Sequence, residues 1–146
     1  MIELNQLAYR YAAAVDAQDA DAFAGVFSPN GRLKTYHPDQ AEPFAEQQGR
    51  EALASVPRTM SGMYRKTAHL MNNHMVELAG DEASGSLLCT ARHLSADPTD
   101  MSVLTVVIRY LDRYVRLDGA WFIDERQIRF LWSERTPCVD SGIMRG

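Results

Sequence analysis

Tyr114-Val115-Arg116-Leu117-Asp118-Gly119-Ala120-Trp121-Phe122-Ile123 is the stretch whose reading decides the fold class. An Asp-Gly pair between two runs of β-formers marks a two-residue hairpin, because that turn needs positive φ at both central positions. Two antiparallel strands therefore meet at Asp118-Gly119. Upstream, the strand reaches back to about Ser102 and holds Val103-Leu104-Thr105-Val106-Val107-Ile108, the longest aliphatic run of the chain. That run is far too short to span a bilayer and reads as a buried strand.

Working backwards, Asp97-Pro98-Thr99-Asp100 joins this strand to one over Gly85 to Leu94, and Gly80-Asp81 joins that to one over Thr67 to Leu78. Downstream, the last strand runs to about Trp132. Residues 133–146 read as a C-terminal tail.

The amino-terminal half carries a different period. Leu4, Leu7, Ala8, Tyr11, Ala14 and Val15 recur at helical spacing, which predicts a helix from about Leu4 to Val15. Asp19 is a good N-cap for a short helix over Ala20 to Val26, and Pro29-Asn30-Gly31 then reads as a turn. A short strand over Arg32 to Tyr36 and a surface loop from His37 to Gln48 follow. A third helix over Gly49 to Val56 is expected to stop at Pro57. Helices first and long antiparallel strands afterwards predict an α+β fold, with the helices packed on one face of a strongly curved, mostly antiparallel sheet. Such a sheet closed off by helices makes a cone around a pocket. The length of 146 residues fits one domain.

Composition narrows the function classes. The net charge is −4, with 15 basic and 19 acidic residues well mixed, so neither a nucleic-acid stripe nor attraction to an anionic membrane is expected. The N-terminus shows no basic region followed by an apolar stretch, and a cytoplasmic location is the expectation. Cys89 and Cys138 lack C-x-x-C spacing, so no zinc or redox motif is indicated and two free thiols are expected. The chain has no G-x-G-x-x-G, Walker loop, G-x-S-x-G or H-E-x-x-H.

What remains is a set of ionisable residues standing where apolar ones belong. Tyr11 falls on the apolar face of the first helix, as a core tyrosine or a pocket residue. Asp16 ends that helix, where the macrodipole opposes a carboxylate, so it either starts the next turn or serves a partner. His69 lies early in a strand. His74 follows at opposite parity, so the two should not share a site, and a metal pair is not expected. His93 shares a small apolar face with Leu87, Cys89 and Ala91. Arg126 has the parity of Phe122, Asp124, Ile128, Phe130 and Trp132, and is costly there unless paired, with Asp124 for instance, or used.

Tyr11-x4-Asp16, Thr67-x-His69-x3-Asn73 and Asp118-Gly119-x-Trp121-x4-Arg126 together resemble the SnoaL-like branch of the NTF2-like superfamily, over about Ile2 to Trp132. Scytalone dehydratase, bile-acid 7α-dehydratase and hexachlorocyclohexane dehydrochlorinase belong to that branch. The resemblance implies proton abstraction by an Asp16–His69 pair inside the cone, without metal or organic cofactor. It makes Tyr11 and Arg126 supporting members and His93 a second acid/base that protonates a leaving hydroxyl.

The expected activity is that of a cofactor-independent lyase or isomerase acting on a small, mostly apolar molecule such as a polyketide, steroid, terpenoid or aromatic. Phe23, Phe27, Met71 and Met75 are expected to line the pocket. So are Val106, Ile128, Phe130 and Trp132. A non-catalytic ligand-binding or assembly domain of the same fold is the alternative. An open sheet face predicts a homo-oligomer, dimer or trimer.

Overall fold

A computed structural model describes residues 2–139. Helix α1 (Ile2–Asp16) and the short α2 (Ala20–Gly25) are followed by strands β1 (Phe27–Tyr36) and β2 (Ala45–Gln48), then helix α3 (Arg50–Met63). Four long strands complete the chain: β3 (Tyr64–Ala79), β4 (Glu82–Ser95), β5 (Ser102–Leu117) and β6 (Ala120–Pro137). They form one six-stranded sheet in the order β2-β1-β6-β5-β4-β3. Every pairing is antiparallel except β1 with β6, which run parallel. The helix-then-strand order thus yields the α+β arrangement expected from the sequence. Among the described residues no helix is long and apolar enough to cross a membrane.

The local signals act where chemistry places them. Asp19 caps α2, its side chain accepting from Ala22 N at 3.0 Å. Asp118 and Gly119 both take positive φ, 50° and 82°, so Leu117 faces Ala120 across a two-residue turn.

Four boundaries differ from the sequence reading. Pro29-Asn30-Gly31 lies inside β1 rather than in a turn. The register passes from Phe27↔Ile123 to Arg32↔Glu125, so β1 stores its surplus residues as a wide bulge. Gly31 permits it, since a Cβ there would lie 2.8 Å from that of Phe27. The expected loop contains β2, paired antiparallel with β1. Pro57 does not end α3. It is buried beside Leu53 and Ala54, and this packing offsets the one backbone donor that proline removes. Strand β6 continues past Trp132 to Pro137, opposite Ser102, so 133–137 are strand rather than tail. Residues 140–146 lie outside the described residues.

Bulges also reassign faces. Between Asn72 and Met75 the β3–β4 register slips, with Asn73 at φ 53°. A one-residue slip exchanges the two faces of a strand. Thr67, His69 and Met71 point inward before the bulge, and His74 and Val76 after it. His69 and His74 therefore share a face, contrary to simple parity, although they bond to different partners. Met75 is turned outward and is 72% exposed. It stands with Leu70 and Leu111 on the outer face and does not line a pocket. On β6, the slip opposite Arg113/Tyr114, which leaves Asp124 unpaired in the register, breaks the parity that joined Asp124 to Arg126.

The core lies between the inner face of the sheet and the helices. Leu4, Leu7, Tyr11 and Val15 of α1 meet Phe23, Phe27 and the inner rows of β4 and β5. Gly85 is tightly placed there: a Cβ would lie 2.9 Å from both the Met75 carbonyl oxygen and the Tyr114 ring. Gly85→Ala is expected to destabilise the fold by about 1–3 kcal/mol through overpacking. Urea unfolding tests this, and an unchanged midpoint would contradict the packing described.

Candidate active site

Asp16 ends α1 against β3. Helix closure turns its carboxylate toward that strand, with Asp19 N bonded to Ala14 O and Gln18 at φ 58°. Thr67 and His69, two apart on β3, present their side chains to the same spot. Asp16 Oδ1 accepts from Thr67 Oγ1 at 2.9 Å and from His69 Nδ1 at 2.7 Å, and Oδ2 accepts from His69 N at 2.9 Å. These three donors answer the opposing macrodipole at the helix end. Burial pushes the Asp16 carboxyl upward. The bonds and charge of His69 and the Thr67 hydroxyl outweigh it and hold the group below its ordinary value of 3.8. An ionised carboxylate only accepts, so in the neutral ring the His69 hydrogen sits on Nδ1 and Nε2 keeps a lone pair.

His69 lines a cavity of about 620 Å³, large enough for a multi-ring molecule. Its walls come from α1, α3, β1, the 37–44 connection and the inner faces of β5 and β6. They are mostly apolar, with Leu33, Met60, Val106, Ile128 and Phe130 among them. At the mouth His37 stacks on Phe44 with ring centroids 3.9 Å apart, and Trp132 is 58% exposed.

His93 also lines the cavity and stands edge-on to His69, centroids 5.8 Å apart. Tyr64 packs on the His93 ring at 4.6 Å. Tyr11 and Tyr110 form the floor, 5.8 Å apart, and burial raises both phenols above their ordinary value, so each keeps its proton.

Arg126 stands apart from the cavity. It lies fully buried beneath that floor, its Cζ 4.3 Å from each tyrosine ring centroid. Its Nε and Nη2 donate to Asp112 Oδ1 and Oδ2, both at 2.8 Å. The Asp124 pairing expected from parity does not form; Asp124 accepts from Ser28 Oγ at 2.8 Å instead. Beyond Asp112 the bonds continue through Tyr114, at 2.6 Å, to His74 at 2.8 Å. His74 Nδ1 lies 2.7 Å from Asn5 Oδ1.

The structure therefore brings Asp16 and His69 into contact and places Tyr11, His69 and His93 around one cavity. Val106, Ile128, Phe130 and Trp132 line it. Phe23 and Phe27 do not: they are sealed core residues on the far side of Tyr11. Met71 packs partly buried against the core, outside the cavity wall. The sequence reading missed Tyr64, Tyr110, Asp112 and the α3 wall of Met60 and Met63. Tyr110 and Asp112 were within reach, since Ile108, Tyr110, Asp112 and Tyr114 alternate along one face of β5. The α3 wall was hidden by ending that helix at Pro57. Cys89 and Cys138 are free, and burial pushes the Cys89 thiol up to about 11.

A family model described as SnoaL-like domain matches residues 2–127. The chain belongs to the SnoaL-like domain family. No curated protein matches it significantly. Solved structures of similar fold include a hexachlorocyclohexane dehydrochlorinase of type 2, with TM-score 0.83, 15% identity, and coverage of 97% of this chain and 94% of that one. A candidate scytalone dehydratase from Novosphingobium aromaticivorans has TM-score 0.77 and 19% identity, covering 95% and 89%. An NTF2-like protein with a cystatin-like fold, also from Novosphingobium aromaticivorans, has TM-score 0.72 and 20% identity, covering 88% and 80%. At these identities the likeness is one of fold, and this SnoaL-like domain has the NTF2-like cone.

Burial is the main cause that lowers both His74 and His93 below the ordinary imidazole value of 6.5. Between the lowered and ordinary values the unfolded chain binds more protons than the folded one, so stability rises with pH across that window. Asp16 contributes stability above 3.8 that is lost only as pH falls through its depressed value, and it adds no slope there. The urea midpoint is expected to be higher at about pH 7.5 than at about pH 5, with a smaller difference in His93→Phe. A midpoint that is equal or lower at the higher pH contradicts this.

Proposed function

We propose that the cavity is the active centre of a cofactor-independent lyase or isomerase whose base is His69, oriented and charge-stabilised by Asp16. The supporting observation is the 2.7 Å Asp16 Oδ1–His69 Nδ1 contact at the wall of a mostly apolar cavity of about 620 Å³. With its hydrogen committed to Asp16, His69 offers a bare Nε2 to whatever the cavity holds.

In this reading Nε2 removes a proton from a carbon next to a carbonyl or bearing a neighbouring leaving group. The C–H electron pair becomes an enolate or a new C=C bond, and the imidazolium formed is stabilised by the Asp16 carboxylate. The proton then returns to a departing hydroxyl in an elimination, or to another carbon in an isomerisation. The Tyr11 hydroxyl, kept protonated by burial, is the donor for developing negative charge on oxygen. Arg126 acts from beneath the floor as a positioning residue, its charge engaged by Asp112. The apolar wall selects a small, mostly apolar substrate. Membership in the SnoaL-like family supports this, as do the names of two fold neighbours, since dehydration and dehydrochlorination both begin by losing a proton from carbon.

The test is a panel of cyclic β-hydroxy ketones followed by absorbance of the conjugated enone. The wild-type protein is expected to dehydrate at least one, with His69→Gln and Asp16→Asn each lowering kcat/KM by about 10²–10⁴. Turnover that survives His69→Gln, or binding of the panel with no turnover by the wild type, would contradict the reading. The second outcome would leave a ligand-binding domain.

A further inference from the structure

The hydrogen inventory at the histidine end of the cavity narrows what the site accepts. His93 Nδ1 lies 3.0 Å from the Leu104 carbonyl oxygen. A carbonyl oxygen only accepts, so the hydrogen of the neutral ring is on Nδ1 and Nε2 carries a lone pair. His93 lines the cavity, and its Nε2 makes no hydrogen bond among the described residues. His69 has the same arrangement for a different reason, its Nδ1–H being given to Asp16. Two imidazoles 5.8 Å apart thus present two acceptors and no hydrogen to one end of the cavity.

Protonation does not readily reverse this for His93. Burial disfavours its charged form and His69 on β3 adds to that, while the Leu104 carbonyl on β5 and Asp16 on α1 oppose it less strongly. The role implied by family resemblance, a donor to a leaving hydroxyl, is therefore poorly matched to this ring. A ligand that is purely apolar at this end leaves the second acceptor desolvated and unpaired.

We propose that His93 is a specificity-determining residue whose Nε2 accepts a hydrogen bond from an O–H group of the ligand. The site then takes hydroxylated apolar molecules, phenolic or enolic in kind, with the hydroxyl about one ring-width from the carbon that faces His69. The proposal rests on reading this cavity as the substrate site but needs no turnover. Loss of the proton-abstraction reading would leave its predictions standing, and its own failure would leave that reading standing.

The probes are 2-naphthol and 2-methoxynaphthalene, which differ in the one hydrogen at issue. Their binding to the full chain is read by quenching of the emission of Trp132 at the cavity mouth. The wild-type protein is expected to bind the naphthol about tenfold more tightly than the ether. His93→Phe weakens only the naphthol and brings the two together. Histidine ¹⁵N spectra of the wild-type protein, which require no variant to fold, are expected to show the His93 hydrogen on Nδ1. A shift of the Nε2 resonance on adding naphthol but not the ether is the companion result. Four results would overturn the proposal: equal binding of the probes by the wild type, no binding of 2-naphthol at millimolar concentration, a preference that survives His93→Phe, or a neutral His93 with its hydrogen on Nε2.

Discussion

The buried pair between Arg126 and Asp112 is the constraint around which the cone is organised. Both side chains are fully excluded from water, and the two parallel N–H···O bonds tie β6 to β5 at the centre of the sheet. Burying such a pair is costly, and the two parallel charge-assisted bonds offset only part of that cost, since Arg126 Nη1 is buried without a hydrogen-bond partner. Tyr114 and His74 extend the bonding toward the start of α1, and the rings of Tyr11 and Tyr110 cover the guanidinium. A cation in the core thereby sets the floor of the cavity and the height of α1 above the sheet. Asp16 sits at the far end of that same helix.

From that placement the site follows. A carboxylate at a helix C-terminus is unfavourable alone, and the structure compensates it with three donors from a single strand. The compensation fixes the tautomer of the neutral His69 ring, so an electrostatic difficulty at a helix end orients an imidazole at the cavity wall. His93 reaches the same protonation pattern through a backbone carbonyl. One end of the cavity is consequently rich in acceptors, while its walls are apolar and its floor carries phenols that keep their protons.

Much of this was legible in the sequence because the signals are local. The Asp118-Gly119 turn, the Asp19 cap and the period of α1 each act within a few residues, and together they imply helices laid on an antiparallel sheet. Asp16 stood out because its position contradicted the macrodipole, and Thr67-x-His69 because alternate residues on a strand face one way. What was hidden depends on non-local register. The bulge at Asn73 reversed the faces of His74 and Met75, and the slip at Asp124 in β6 moved Arg126 away from Asp124 and onto Asp112. Pro57 misled for a related reason, since only tertiary burial of Leu53, Ala54 and Pro57 lets α3 continue to Met63 and supply a cavity wall.

The central claim is that a bare His69 nitrogen removes a proton from carbon inside the cone. It is tested most directly by solvent-deuterium incorporation next to the carbonyl of a small apolar ketone such as 2-tetralone, followed by proton NMR. The account predicts that the wild-type protein accelerates the exchange and that His69→Gln loses the acceleration by at least about a hundredfold. Equal exchange with the two proteins, above or at the rate in buffer alone, would contradict it.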